Sequence, residues 1–294
     1  MSQQLHLVNL ETCMGDGICV EICPKHILEV VNGKAATIEN RSGNCILCGQ
    51  CVAICPTESL QMPELPAEGF QDLSRLPFGY TEFVAFLRTR RSIRRFKDLP
   101  VERDVIEKIL EAAATAPMGF PPHSTEVLVI DRPEEMDFLR KELVKDYTSI
   151  LKAISNPLGR AMIRLTAGAE NYVALKDCIL EVAKDANEAY HRDGSDQYMY
   201  HAPALMVFHG SRWALSHDEN AHLVCHHAML AALSMGLGTT IIGMIPPILD
   251  RSKALRKRYG IPRENRVLTS LILGYPKYRY KKSIRRDLAG VRFM

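Results

Sequence analysis

Seven of the nine cysteines lie before residue 56, in two runs that share one spacing. The run CMGDGICVEICP extends from Cys13 to Pro24, and CILCGQCVAICP from Cys45 to Pro56. A shift of 32 residues lays Cys13 on Cys45, Cys19 on Cys51, Cys23 on Cys55 and Pro24 on Pro56. Gly17 then meets Gly49, Val20 meets Val52 and Ile22 meets Ile54, while Asp16 falls on Cys48. Thiolates are soft ligands, so a duplicated thiolate run reads as two metal centres. The N-terminus MSQQLHLVNL has neither the basic region nor the apolar core of a signal peptide. In such a chain clustered cysteines indicate metal ligation and not a disulfide framework, and the expected location is a reducing cytoplasm.

The two runs are similar to the C-x2-C-x2-C-x3-C-P pattern of bacterial two-cluster ferredoxins, in which the fourth cysteine of each run ligates the other cluster. The resemblance covers residues 5 to 62. It implies that Cys45, Cys48, Cys51 and Cys23 hold one 4Fe-4S cluster. Cys13, Cys19 and Cys55 would hold a second, 4Fe-4S or 3Fe-4S, with Asp16 at its fourth corner. Zinc is the alternative, since paired C-x2-C units bind it, but zinc predicts neither the proline-terminated runs nor their crossed arrangement. Cys178 and Cys225 sit in helical patterns and read as small buried hydrophobes.

A second set of residues suited to chemistry is RTRRSIRRF, Arg88 to Phe96, with five arginines and one serine. Forked guanidinium donors can grip a phosphate; a solvated basic turn is the bland alternative. Its company decides between them: ATAPMGFPPHS about twenty residues later, GLGTTIIG (Gly236 to Gly243), LILGYP (Leu271 to Pro276) and the basic tail KYRYKKSIRR. In this order, across residues 78 to 294, these elements resemble the nitroreductase family of FMN-binding oxidoreductases, and the whole chain resembles a ferredoxin-nitroreductase fusion.

The resemblance implies that Arg90, Arg91, Ser92 and Arg94 contact the FMN phosphate, ribityl chain or ring oxygens. Pro117, Met118 and Gly119 would line one side of the isoalloxazine, Ile242 and Gly243 another edge, and Lys282 with Arg286 would complete the phosphate site. Met118 and Pro121 stand where the family often has a small polar residue and an asparagine. No catalytic side chain is named, because the chemistry is expected at the FMN itself. His222 and His226 are four apart on a helical pattern, but no third ligand is evident, so they read as core or interface residues.

The implied activity is an FMN-dependent oxidoreductase that receives single electrons from an external low-potential donor through two clusters and reduces a small conjugated acceptor, a nitroaromatic or quinone. Dehalogenation, enoate reduction or flavin breakdown with the same cofactors, and a non-catalytic redox store or sensor, stay open. A homodimer is also implied, with the flavin at the subunit interface and the apolar stretch Ala221 to Leu237 contributing to it.

The elements that must position these residues follow from pattern. The fold class is α+β: a ferredoxin-like domain over residues 1–62, a proline-punctuated linker over 63–77, and a nitroreductase-like domain over 78–294 with a central mixed sheet flanked by helices. YTEFVAFLRTR and ERDVIEKILEAAATAP have helical apolar spacing, the second stopping at Pro117. TEVLVIDR, ALMVFHG, TTIIGMI and VLTSLILGYP read as strands, and NAHLVCHHAMLAALSMGLG as a mostly buried helix ending in glycine. Residues 134 to 200 read as helices, with loops at Asn156-Pro157 and around Asp193-Gly194. Net charge is +3 overall, but residues 1–72 hold 3 Lys+Arg against 9 Asp+Glu, whereas the remainder holds 34 against 25. Such asymmetry can mark a nucleic-acid surface. Here a phosphate-bearing cofactor and an acidic partner domain account for it, and neither nucleic acid nor membrane is an expected partner.

Overall fold

The computed structural model describes residues 5–73, 77–121, 123–168, 172–173 and 175–294. The chain forms two compact units: Met1–Pro77 with Phe120–Pro122, and Phe78–Gly119 with His123–Met294.

In the small unit, β1 (Leu7–Val8) pairs antiparallel with β4 (Leu60–Gln61), and β2 (Leu28–Val31) with β3 (Lys34–Thr37). Asn32 and Gly33, both at positive φ, turn the β2–β3 hairpin, which is the backbone demanded by a two-residue primed turn. The sequence repeat is also a backbone repeat. Positive φ occurs at Gly15 and Leu47, at Gly17 and Gly49, and at His26 and Glu58, each pair 32 residues apart. Gly17 and Gly49 launch the short helices α1 (Ile18–Ile22) and α2 (Gln50–Ala53). Only one half needs glycine at the first of these positions. A Cβ at Gly15 would stand 2.0 Å from the Gly33 carbonyl oxygen, a distance that no rotamer adjustment relieves. The small core gathers Ile27, Leu28, Leu60 and Met62 around the cysteines, and Leu65, from the segment expected as a linker, packs against it.

The large unit is built on a sheet in the order β5–β6–β8–β7: β5 (Thr125–Ile130), β6 (Ala204–Ser211), β8 (Asn265–Gly274) and β7 (Gly238–Ile241). These strands pair antiparallel. The parallel component of the expected mixed sheet is an isolated bridge between Ser92 and Thr239. Period-two alternation along β6 feeds two cores. Leu205 and Val207 face Leu139, Leu143 and Tyr147 of α5 (Pro133–Ser155) and Ala183 and Ala186 of α7 (Leu180–Asp193). Ala204, Met206 and Phe208 face Ile106 and Ile109 of α4 (Arg103–Ala114) and Ala221, Cys225 and Ala228 of α8 (His217–Ser234). Each large side chain so buried contributes roughly 1.5–3 kcal/mol.

Further α-helices among the described residues are α3 (Tyr80–Thr89), α6 (Pro157–Ala167), α9 (Pro246–Arg251) and α10 (Lys253–Tyr259). The loop expected at Asn156-Pro157 shrinks to the single residue Asn156 between α5 and α6: Asn156 accepts from Leu158 N at 2.9 Å and Pro157 occupies the first turn of α6, where its missing N–H costs nothing. Gly194, in the left-handed conformation, stops α7. The pair α9–α10, between β7 and β8, was not read from the sequence. Ser252 caps α10 by accepting from Leu255 N at 3.3 Å. Among the described residues no helix is long and apolar enough to cross a membrane.

Candidate functional site

The small unit holds two separate hollows. One is lined by Cys23, Cys45, Cys48 and Cys51 with Pro24, Lys25 and Ile27; the other by Cys13, Asp16, Cys19 and Cys55 with Gly15, Gly17 and Thr57. Each hollow therefore takes one residue from the opposite run, Cys23 or Cys55. Cys19, Cys23 and Cys51 are buried, whereas Cys48 and Asp16 are exposed, so the two residues related by the repeat also share the outermost corner.

Among the described residues no three His, Cys, Asp or Glu side chains converge closely enough to hold a single metal ion. The four side chains lining each hollow match a cluster whose iron atoms each take one ligand. His222 and His226 belong to no single-ion group either; both are exposed, and His222 Nδ1 lies 2.7 Å from the Asp218 carbonyl.

The sulfurs are unequally partnered. Leu47 N donates to Cys45 Sγ at 3.4 Å and Ser59 N to Cys55 Sγ at 3.3 Å. A hydroxyl chain continues from Cys55 Sγ through Thr57 Oγ1 (3.7 Å) and Ser59 Oγ (2.6 Å) to Thr12 Oγ1 (2.7 Å). Buried His6, absent from the sequence reading, places Nε2 3.7 Å from Cys51 Sγ and Nδ1 2.9 Å from Thr37 Oγ1. Burial pushes the Cys51 thiol up to about 11 and raises Cys45 and Cys19, the last also opposed by the Asp16 charge. Burial opposes ionisation of Cys55 too, but hydrogen bonds from Thr57 and Ser59 outweigh it and hold Cys55 below the ordinary thiol value. Loading with metal must therefore displace protons from most of these thiols. Lys34 Nζ donates to the Cys13 carbonyl at 2.7 Å, which sets a cation beside the Asp16 hollow.

In the large unit a cavity of about 570 Å³ is lined by Arg88, Arg90 and Arg91, by the turn Gly236–Thr239, and by the tail from Tyr278 to Ser283. The arginine run is held against β7: Ile93 N donates to the Thr239 carbonyl at 3.0 Å, and Thr240 Oγ1 to the Ile93 carbonyl at 2.6 Å. A Cβ at Gly238 would stand 2.5 Å from the Ile93 side chain, so this close approach requires glycine. The tail joins the other side, with Lys97 N on the Tyr275 carbonyl at 2.8 Å and Lys277 N on the Arg95 carbonyl at 2.9 Å. Six cations, Arg88, Arg90, Arg91, Arg279, Lys281 and Lys282, line the cavity without an acidic residue. Arg91 Nε is buried and has no partner among the described residues. It is the uncompensated cations on the cavity wall that fit a phosphate-bearing ligand.

Arg90, Arg91 and Lys282 thus line this cavity. The Arg91 guanidinium, expected on the ligand, donates instead to the Arg90 carbonyl at 2.6 Å and the Lys282 carbonyl at 3.4 Å, so it ties the arginine run to the tail. Ser92 is engaged in the bridge to Thr239, and Arg94 lies over the Tyr200 ring at 5.7 Å. Arg286 is exposed and does not line the cavity; Arg279 and Lys281 stand there from the same tail. Pro117, Met118 and Gly119 also lie off the cavity. Their loop is clamped by buried Asn220, whose Oδ1 accepts from Gly119 N at 2.8 Å while Nδ2 donates to Ser124 Oγ at 3.1 Å. Ile242 is buried, its N–H on the Ser270 carbonyl at 3.0 Å, and Gly243 follows it. The Met244 carbonyl next in the loop accepts from Tyr147 at 2.9 Å. Cys225 is buried, its thiol pushed up to about 12 by burial, as befits a core residue; the Cys178 side chain lies outside the described residues.

Comparison with known proteins places this architecture in a class. Residues 87–275 match the nitroreductase family and residues 6–56 the 4Fe-4S dicluster domain. The chain belongs to the nitroreductase family of oxidoreductases and carries an N-terminal 4Fe-4S dicluster domain. It is 28% identical over 197 residues to a protein of Archaeoglobus fulgidus, covering 67% of this chain and 86% of that one, and 25% identical over 191 residues to one of Methanothermobacter thermautotrophicus, covering 65% and 75%. Both carry the provisional name NADH dehydrogenase/NAD(P)H nitroreductase. The fold is similar to two nitroreductases solved with bound FMN. That of Bacteroides fragilis gives a TM-score of 0.54 at 17% identity, and that of Desulfitobacterium hafniense 0.52 at 21%. Each match covers 72% of this chain and 98% of the other.

Proposed function

We propose that the chain is an FMN-dependent oxidoreductase that takes single electrons from an external low-potential donor through two iron-sulfur clusters and reduces a small conjugated acceptor, a nitroaromatic or a quinone. When bound, the clusters exchange one electron each, and FMN stores two and delivers a hydride equivalent. What carries this reading is the union, in one chain, of two thiol-lined hollows and a cationic cavity of about 570 Å³.

In this reading Cys23, Cys45, Cys48 and Cys51 hold one cluster, and Cys13, Cys19, Cys55 and Asp16 the other. Arg90, with the tail cations Arg279, Lys281 and Lys282, holds the FMN phosphate, and Arg91 keeps the tail in place. Anaerobic stopped-flow mixing of the chemically reduced protein with a panel of acceptors tests the assignment. Nitroaromatics and quinones should reoxidise the flavin faster than halogenated compounds or enoates do. Protein that holds no flavin after gentle purification would sink the reading at its root; reoxidation by enoates alone would sink only the acceptor class.

Pro117, Met118 and Gly119 do not line the cavity of their own chain, which supports a homodimer in which a second copy brings this loop to the flavin ring. The outer side of α8 offers Leu223, 39% exposed, and the adjoining β7 offers Ile241, 45% exposed, as apolar surface for such contact. Light scattering of flavin-loaded protein should return twice 33.0 kDa. A mass of one chain would exclude the dimer.

A further inference from the structure

The two hollows differ in the donors that reach their sulfurs, and the least expected donor is an imidazole. His6, immediately before β1, is 1% exposed, with Nε2 3.7 Å from Cys51 Sγ and Nδ1 2.9 Å from Thr37 Oγ1. A cysteine sulfur bound to iron is a thiolate and can only accept. Nε2 must then carry the ring proton, which leaves Nδ1 as acceptor and the Thr37 hydroxyl as its donor. One neutral tautomer satisfies both contacts.

We propose that His6 donates an Nε2–H hydrogen bond to Cys51 Sγ and thereby raises the reduction potential of the cluster held by Cys23, Cys45, Cys48 and Cys51. The inference rests on the cluster assignment given above. Adding one electron to a cluster increases the negative charge on its sulfurs, so a fixed donor stabilises the reduced form more than the oxidised one. In a buried site that preference is little screened by water. The repeat makes the effect one-sided: 32 residues on from His6 stands Ile38, which cannot donate from its side chain. His6 is therefore a positioning residue that sets the two clusters apart, and Thr37 acts through it.

The test is a potentiometric EPR titration of the full-length, cluster-loaded protein, with iron and sulfide content measured first. His6→Phe keeps a ring in the space and removes the donor. At a poise fixed at the wild-type midpoint, the reduced-to-oxidised ratio of this cluster should fall about fivefold, the equivalent of one ordinary hydrogen bond. The Asp16-side cluster should not move. His6→Gln, which retains an N–H donor, should recover part of the ratio, and Thr37→Val should shift it in the same direction as His6→Phe. If His6→Phe fails to hold its clusters, Thr37→Val against wild type decides alone. Wild-type protein without two clusters would mean that the cluster assignment itself is wrong. With both clusters loaded, an unchanged ratio in Thr37→Val and His6→Phe, an equal fall in both clusters, or a His6→Gln no better than His6→Phe overturns the proposal.

Discussion

Replacing Arg90 and Arg91 together with alanine should weaken FMN binding on the order of 100-fold or more while both iron-sulfur clusters remain loaded. The two arginines act differently. Arg90 lines the cavity, where among the described residues its Nη1 meets only the Met229 sulfur, at 3.9 Å, so its charge is available to an anion. Arg91 is partly buried and spends its guanidinium on the Arg90 and Lys282 carbonyls; without it the tail that brings Arg279, Lys281 and Lys282 loses an anchor. Losing the Arg90 charge-assisted hydrogen bond costs roughly 1.5–3 kcal/mol, and freeing the tail that Arg91 anchors costs at least one more such bond from Arg279, Lys281 or Lys282; tenfold in affinity corresponds to about 1.4 kcal/mol, so the two effects together reach about two decades. Fluorescence titration of flavin-stripped protein with FMN measures the loss, and iron and sulfide analysis confirms that the small unit is intact. Stoichiometric flavin retained in the double variant would mean that this stretch is a solvated basic turn.

The same pair of arginines marks where sequence reading stops. Five arginines in nine residues announce an anion site because residue type alone sets charge and donor count. Which guanidinium faces the ligand depends on the chain that packs behind it, and here that chain is a tail nearly two hundred residues away. The tail was expected to supply Lys282 and Arg286. Lys282 lies on the cavity with Arg279 and Lys281, whereas Arg286 does not, since an irregular tail has no periodicity from which to read which side chains turn inward. The clamp on Gly119 was hidden for a similar reason: Asn220 is one of several polar residues in the first turns of α8, and its bonds to Gly119 and Ser124 exist only once α8 has docked.

The strands and helices around the sheet were legible because burial dictates which residue types line them. ALMVFHG is a short continuous apolar run, the mark of a strand covered on both faces, and in β6 its alternate residues enter opposite cores. The helices α9 and α10 were missed because PPILDR and KALRKRY are too short to display an apolar stripe. In the small unit the repeat carried more information than composition could, since it aligned positive-φ positions and ligand corners at once. His6 had no such signal. A lone histidine before the first cysteine gains meaning only when β1 pairs with β4 and brings it to Cys51.

Replacing Asp16 with cysteine should abolish most of the oxygen sensitivity of one cluster. Asp16 lines the hollow with Cys13, Cys19 and Cys55, at the corner that Cys48 occupies in the other half. One of its oxygens, Oδ1, accepts from Ile18 N at 3.1 Å, which fixes the side chain at the start of α1 and leaves a second oxygen for iron. A carboxylate is a harder ligand than a thiolate and holds its iron less firmly. The position is exposed, so oxidant reaches it freely. In wild type, air should convert the Asp16-side centre from 4Fe-4S to 3Fe-4S while the all-cysteine centre persists. Cys48 is exposed as well, so exposure alone does not distinguish the two corners; the ligand atom does. Asp16→Cys gives both corners a thiolate, and EPR after air exposure should then show the 3Fe-4S signal reduced to a minor fraction of wild type. A signal of equal strength in the two proteins would place the labile iron elsewhere.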